Sequence, residues 1–86
     1  MPELSRFLGI IVFMCFNDHN PPHFHVEYGE YEASITINGL SILDGILPSR
    51  ILGYVVEWAS MHKQELMENW NMLQSVGKCK KIPPLI

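Results

Sequence analysis

Three of the chain's four histidines, His19, His23 and His25, lie within seven residues of each other, in the stretch HNPPHFHV. Histidine changes charge near neutral pH and is the commonest nitrogen ligand to metals. On an extended strand, residues two apart point the same way and sit about 7 Å apart at Cα. His23 and His25 therefore present two imidazoles to one side. With His19 from the preceding loop, or Glu27 on the same face, they make a ligand set for a divalent transition metal such as zinc, water completing the shell. The same rings fit two other roles: a metal-free acid–base or anion-binding cluster, or polar cover on the wet side of a half-exposed sheet. Spacing leaves all three open. There is no HExxH and no second ligand pair. No P-loop or dinucleotide-type glycine loop is present, and spacing places no serine or cysteine beside a base.

The elements that position these rings can be read around them. GIIVFMCFN, residues 9–17, is an unbroken run of β-branched and aromatic residues and reads as a strand buried on both faces. Pro21 and Pro22 hold residues 20–23 extended, so a second strand begins at His23 and runs over 23–29. There Phe24, Val26 and Tyr28 alternate with His23, His25 and Glu27. After Gly29-Glu30, Tyr31, Ala33, Ile35 and Ile37 alternate with Glu32, Ser34, Thr36 and Asn38. A two-residue connection with glycine first marks a II′ hairpin. Counting outward pairs Tyr28 with Tyr31, Val26 with Ala33 and Phe24 with Ile35 on the core side. On the other side Glu27 faces Glu32, His25 faces Ser34 and His23 faces Thr36. A slip of one residue would put every apolar side chain in water, so this register is well specified. Asn38-Gly39 is a I′ turn signal opening a fourth strand over 40–46, with Ile37 opposite Leu40, Thr36 opposite Ser41 and Ile35 opposite Ile42.

Pro48-Ser49 starts a helix predicted over about 49–75. Leu52, Val55, Val56, Ala59, Leu66, Trp70 and Leu73 form one stripe, with Glu57, Gln64, Glu65 and Glu68 off it. Gly77 ends it. Such a helix is ~37 Å long against ~23 Å for a seven-residue strand, so its end should overhang the sheet or pack on a partner. The expected fold is a single α+β domain over 1–86. It comprises an antiparallel β-meander of about four strands, one long C-terminal helix packed on its apolar face, and an extended tail over 78–86 in which Ile82 and Leu85 cover apolar surface. His62 lies on the flank of the helical stripe, between Trp58 and Leu66, and could meet His19 if the 19–23 loop folds over the helix. Trp58 and Trp70 read as core and interface aromatics. Arg50, like Arg6, is able to bind a phosphate or a carboxylate.

Eighty-six residues, 48% hydrophobic and 17% charged, describe one ordinary globular domain. A core this small is marginal alone, which favours a homodimer or a bound partner. The net charge of −3 disfavours nucleic acid, and Lys78, Lys80 and Lys81 are the one basic cluster. Cys15 and Cys79 make no CxxC pair and read as free thiols of a reducing cytosol. The N-terminus lacks a signal-peptide pattern. Residues 10–16 fall far short of the ~20 apolar residues of a membrane span. The expected location is the cytoplasm.

SRFLGIIV, FNDHNPPHFHVEYGEYEASI, GILP, EWASMHKQEL, ENW and IPPL together resemble, over nearly the whole chain, the bacterial family filed as domain of unknown function 4160. Its hallmark positions fall on His19, Pro21, Pro22, His23, His25, Trp58, His62 and Trp70. Glu27 and Glu32 lie outside them. The resemblance implies that the four histidines act together. It also implies a neighbour: members are often encoded beside a second small family, domain of unknown function 2442, in an arrangement like a toxin–antitoxin or regulator pair. The expected function is thus an interaction module of such a two-gene pair, with a histidine-rich surface that meets the neighbour-encoded protein or a second copy. The alternative is an enzyme centred on His19, His23, His25 and His62, either a divalent-metal hydrolase or a metal-independent endoribonuclease. A nucleic-acid-binding regulator ranks last on charge.

Overall fold

Alternation with a period of two decides the central hairpin. His23 pairs with Thr36, Phe24 with Ile35, His25 with Ser34, Val26 with Ala33, Glu27 with Glu32 and Tyr28 with Tyr31, the register counted from the turn. The computed structural model describes residues 2–86. Around this hairpin it forms one antiparallel sheet of five strands in sequence order: β1 (Glu3–Phe7), β2 (Ile10–Phe13), β3 (His23–Tyr28), β4 (Tyr31–Thr36) and β5 (Ile42–Ile46). Two helices follow, α1 (Ser49–Met61) and α2 (Lys63–Ser75). The protein is α+β. Val12, Phe24, Val26, Ala33 and Ile35 build the buried side of the sheet, and Ile51, Val55, Trp58, Leu66, Trp70 and Leu73 cover it. The Trp58 ring is central, 5.6 Å from Phe7 and 6.2 Å from Phe24 between ring centroids, contacts within the range of favourable aromatic pairing.

The strand expected over 9–17 is instead the second arm of a hairpin, and the sheet has five strands rather than four. Leu8 and Gly9 both take positive φ, 52° and 77°, and turn the chain between β1 and β2. With leucine where asparagine or aspartate usually announces such a turn, and a boundary glycine read as a strand start, β1 was invisible to pattern alone. β2 also stops at Phe13, short of residue 17.

The loop before β5 is likewise not the expected I′ turn. Leu40 takes the positive φ, 52°. The loop closes through Leu40 N–H to Thr36 O (2.9 Å) and Thr36 N–H to Ser41 O (3.0 Å). Thr36–Ser41 and Ile35–Ile42 face each other as counted, but Ile37 does not pair with Leu40. Its N–H reaches Pro22 O at 3.1 Å, which carries its side chain into the core. A bulge opposite Ser34 and Ile35 leaves Leu43 as the extra residue of β5.

The single long helix is also corrected. His62, at φ −129° and ψ 24°, interrupts it. Its N–H bonds Ala59 O at 3.0 Å, closing α1 tightly, while its carbonyl accepts Leu66 N–H at 2.9 Å to begin α2. A straight rod carrying this stripe would overrun the sheet. The joint removes the overhang, and Leu66, Trp70 and Leu73 are all buried. The tail has no regular structure, as expected. It is fastened by Ile82 N–H to Leu4 O (2.8 Å), Trp58 Nε1–H to Pro83 O (2.8 Å) and Lys80 N–H to Asn69 Oδ1 (2.6 Å). Ile82 is buried and Leu85 packs against the core. The tail thus lies against β1 and leaves β5 as the open edge.

Two glycines test this architecture in opposite directions. At Gly45, φ is +84° and an added Cβ would stand 2.2 Å from Glu32 O and 2.8 Å from Ala33 Cα. Gly45→Ala is expected to unseat β5 and to cost more than about 2 kcal/mol. Gly53 is an exposed helical position with nothing near its missing Cβ. There alanine should add up to about 1 kcal/mol. Urea unfolding of both variants measures the difference.

Candidate functional site

The histidines of β3 are gathered by a carboxylate that alternation did not identify. After β2 the chain continues through buried Met14, half-buried Cys15 and exposed Phe16, then reverses at Asn17 with φ +57°. That reversal folds Asp18 back over the start of β3. Asp18 Oδ2 lies 2.9 Å from His23 Nε2 and 2.8 Å from His25 Nε2, and the His19 backbone N–H also bonds the carboxylate.

Each ring has a distinct hydrogen-bonding state. His23 Nδ1 is 2.7 Å from Pro21 O. A carbonyl and a carboxylate oxygen only accept, so both nitrogens of His23 face acceptors. Expected on the wet face beside His25, the His23 side chain is instead buried, 3% exposed, with its ring centroid 5.3 Å from that of Trp70 of α2. His25 differs. Its Nε2 donates to Asp18 while Nδ1, 3.1 Å from Ser34 Oγ, accepts the hydroxyl proton. Its ring stacks on Phe13 at 5.2 Å with 15° between planes. His19 stands at the rim, 89% exposed, with Nδ1 3.8 Å from Asp18 Oδ1.

Burial raises the Asp18 carboxyl, but the hydrogen bond from His25, the charges of His23 and His25 and the His19 N–H outweigh it and hold the group below its ordinary value. For Cys15, burial and then the negative charge of Asp18 push the thiol up. Cys15 and Cys79 form no disulfide.

Of the expected site residues, the fold brings together His19, His23, His25 and Trp70. It does not bring in the others. His62 Nδ1 bonds Glu65 Oε1 and its ring lies 5.5 Å from Trp58. No hydrogen bond or ring contact joins it to the other histidines among the described residues. Trp58 is in the core, tied to the tail. Arg50 is exposed in the first turn of α1. Asp18 and Cys15 were missed, and Ser34, whose Oγ lies 3.1 Å from His25 Nδ1, corrects the expectation that no serine stands beside a base. One signal pointed to Asp18: it is the sole carboxylate between Glu3 and Glu27, and clustered histidines on a half-buried face need a counter-charge.

Beside His25 a shallow cleft of about 230 Å³ is lined by Glu32, Ala33, Ser34, Asp44 and Gly45. Residues 7–49 contain Asp18, Glu27, Glu30, Glu32 and Asp44 but no lysine or arginine. From β3 to β5 the open face of the sheet therefore carries carboxylates and histidines without lysine or arginine, while Arg6 of β1 stands at its other margin beside Glu3 and Glu27.

A family model described as Domain of unknown function (DUF4160) matches residues 9–71. The chain belongs to that family. The DUF4160 segment spans β2 to the middle of α2 and contains Cys15, Asp18, all four histidines and both tryptophans. β1 and the tail that covers it lie outside. No curated protein and no solved structure matches the chain. Among the described residues no helix is long and apolar enough to cross a membrane.

Asp18→Ala leaves the buried His23 donor without its acceptor, and a loss of about 3 kcal/mol is expected. The pH dependence has a definite sign. Because the Asp18 carboxyl sits lower in the folded than in the unfolded chain, its contribution is complete above the unfolded value near 4 and is lost as pH falls through the lower native value. Thermal unfolding below about pH 4 should therefore fall more steeply for the wild type than for Asp18→Asn.

Proposed function

We propose that the protein is the interaction module of a two-gene toxin–antitoxin-like or regulatory pair in the cytoplasm, and that it takes an extended segment of the neighbour-encoded partner along β5. The observation behind this is the state of that strand. All five residues of β5 are exposed, including Ile42 at 39%, Leu43 at 44% and Ile46 at 67%. An unpaired edge offers a row of backbone donors and acceptors to any extended chain, and natural sheets blunt such edges with lysine, proline or a cover. β5 has no lysine, no proline and no covering segment; its one charge is Asp44 and its one irregularity the bulge at Leu43. The opposite edge is already covered by the tail. Strand addition is a common mode of peptide recognition in which the ladder provides affinity and alternate side chains provide choice.

The chemistry of the edge describes its occupant. Asp44, Glu32 and Glu30 lie on or beside β5, with no cation on any strand from β2 to β5. The matching segment alternates apolar residues with lysine or arginine. The resemblance to families encoded in pairs points to the domain of unknown function 2442 type as its source. The cleft beside His25 opens next to the same edge, so the histidine end of the face belongs to one continuous surface.

A histidine-centred enzyme is the second reading. Its support is the chain Asp18–His25–Ser34, with successive contacts of 2.8 and 3.1 Å, the spacing of an orienting acid, a base and a hydroxyl. It ranks second because β4 is paired on both sides. The amides around Ser34 serve the ladders rather than a developing oxyanion. The acidic face also disfavours an RNA substrate or an operator.

Ile46→Lys places a charge on the open edge at a position where the fold makes little use of the side chain. Its stability should stay within about 0.5 kcal/mol of wild type. Affinity for the co-expressed neighbour, measured by calorimetry, should fall at least about tenfold. Unchanged binding by this variant would exclude the β5 edge as the docking site.

A further inference from the structure

We propose that Cys15, Asp18 and His25 bind one divalent transition-metal ion through mixed sulfur, oxygen and nitrogen coordination, with zinc as the best-matched ion. This differs from the histidine-only set that spacing suggested, and it does not rest on the partner-binding role of β5. One donor atom from each of the three residues lies within 4.8 Å of the others. Tetrahedral ligands 2.0–2.3 Å from an ion stand about 3.5 Å apart. Closure therefore needs roughly 1 Å of side-chain movement, and Cys15 and Asp18 lie in the segment between β2 and β3, outside the sheet ladder. All three are half-buried, enclosed enough to hold an ion and open enough to admit one.

The surroundings are those of a supported ligand set. His25 is fixed by its stack on Phe13 and by Ser34 Oγ on its far nitrogen. Asp18 is held by His23 Nε2, and that ring is anchored in turn by Pro21 O and packed beside Trp70. Such outer partners set ring orientation and commonly change metal affinity 10–100-fold. His23 itself is committed at both nitrogens and serves as support rather than ligand. The absence of lysine and arginine from residues 7–49 leaves the field favourable to a cation. A thiolate and an imidazole exclude magnesium and calcium, which take oxygen ligands, and select the zinc class. On binding, one proton leaves Cys15 Sγ for solvent. The proton of His25 moves from Nε2 to Nδ1, where the Ser34 hydroxyl turns to accept it, and Nε2 takes the ion. Exposed His19, with Nδ1 3.8 Å from Asp18 Oδ1, stands beside the three donors.

Cobalt(II) is the probe, added to untagged, chelator-stripped protein. One equivalent should bind with a thiolate-to-cobalt charge-transfer band and the intense d–d absorption of a four-coordinate ion. Zinc should displace it, and the melting temperature should rise with either metal. Cys15→Ser should abolish the charge-transfer band and weaken zinc binding at least tenfold, while Cys79→Ser and His62→Ala retain both. Circular dichroism of metal-free Cys15→Ser checks that it folds. His25→Gln gives an independent arm, expected to lose affinity while keeping the fold. Absence of cobalt uptake in excess metal overturns the proposal, as does a charge-transfer band that survives Cys15→Ser or vanishes in Cys79→Ser.

Discussion

The Asp18 carboxylate, held against the buried ring of His23, is the interaction on which the histidine end of the molecule depends. A charged group taken out of water must find a partner, and so must the polar nitrogens of a buried ring. Each solves the other's problem: Asp18 supplies one acceptor, Pro21 O the other, and two histidines satisfy the carboxylate. One contact thereby couples three parts of the chain. The loop is pinned to β3, His25 is turned so that its far nitrogen meets Ser34, and Trp70 of α2 closes over His23. The double proline takes part directly, because Pro21 and Pro22 lend carbonyls, not only stiffness, to His23 and Ile37.

The distribution of charge follows the same division of labour. All six lysines and arginines lie at Arg6 or from Arg50 onward, on β1, the helices and the tail. β2 carries no charged side chain, and β3 to β5 carry carboxylates and histidines but no lysine or arginine. One edge of the sheet is fastened to the tail and the other is bare. The molecule is thus polar in the structural sense: a closed, mixed-charge side and an open, acidic side. The two proposed roles, cation binding near Cys15 and strand addition at β5, would draw on different parts of that side, one at the start of β3 and one along the edge.

His62 shows how similar residues come to serve different ends. It has the same side chain as the cluster members and lies in the same family segment, yet its ring meets Glu65 and Trp58 at the joint between α1 and α2. Its backbone leaves helical geometry there and divides α1 from α2, whose Leu66, Trp70 and Leu73 are buried. Trp70 then reaches His23.

The sequence by itself determined the β3–β4 register, the open-face placement of His25 and the covering role of the tail. Those follow from local rules: a strict period of two, a two-residue turn, and apolar residues in a proline-rich end that cannot form a helix. Tertiary structure alone decided what those rules leave free. The first hairpin turned at Leu8-Gly9, where no side chain signals a turn. The helix broke at His62, where the apolar stripe continues in phase and nothing in the pattern marks an end. The site formed around Asp18 and beside Cys15, residues 7 and 10 positions from His25. Pattern reports which way a side chain points. Which groups then meet is set by the reversal at Asn17 and by the need to satisfy a buried charge, and both exist only once the chain has folded.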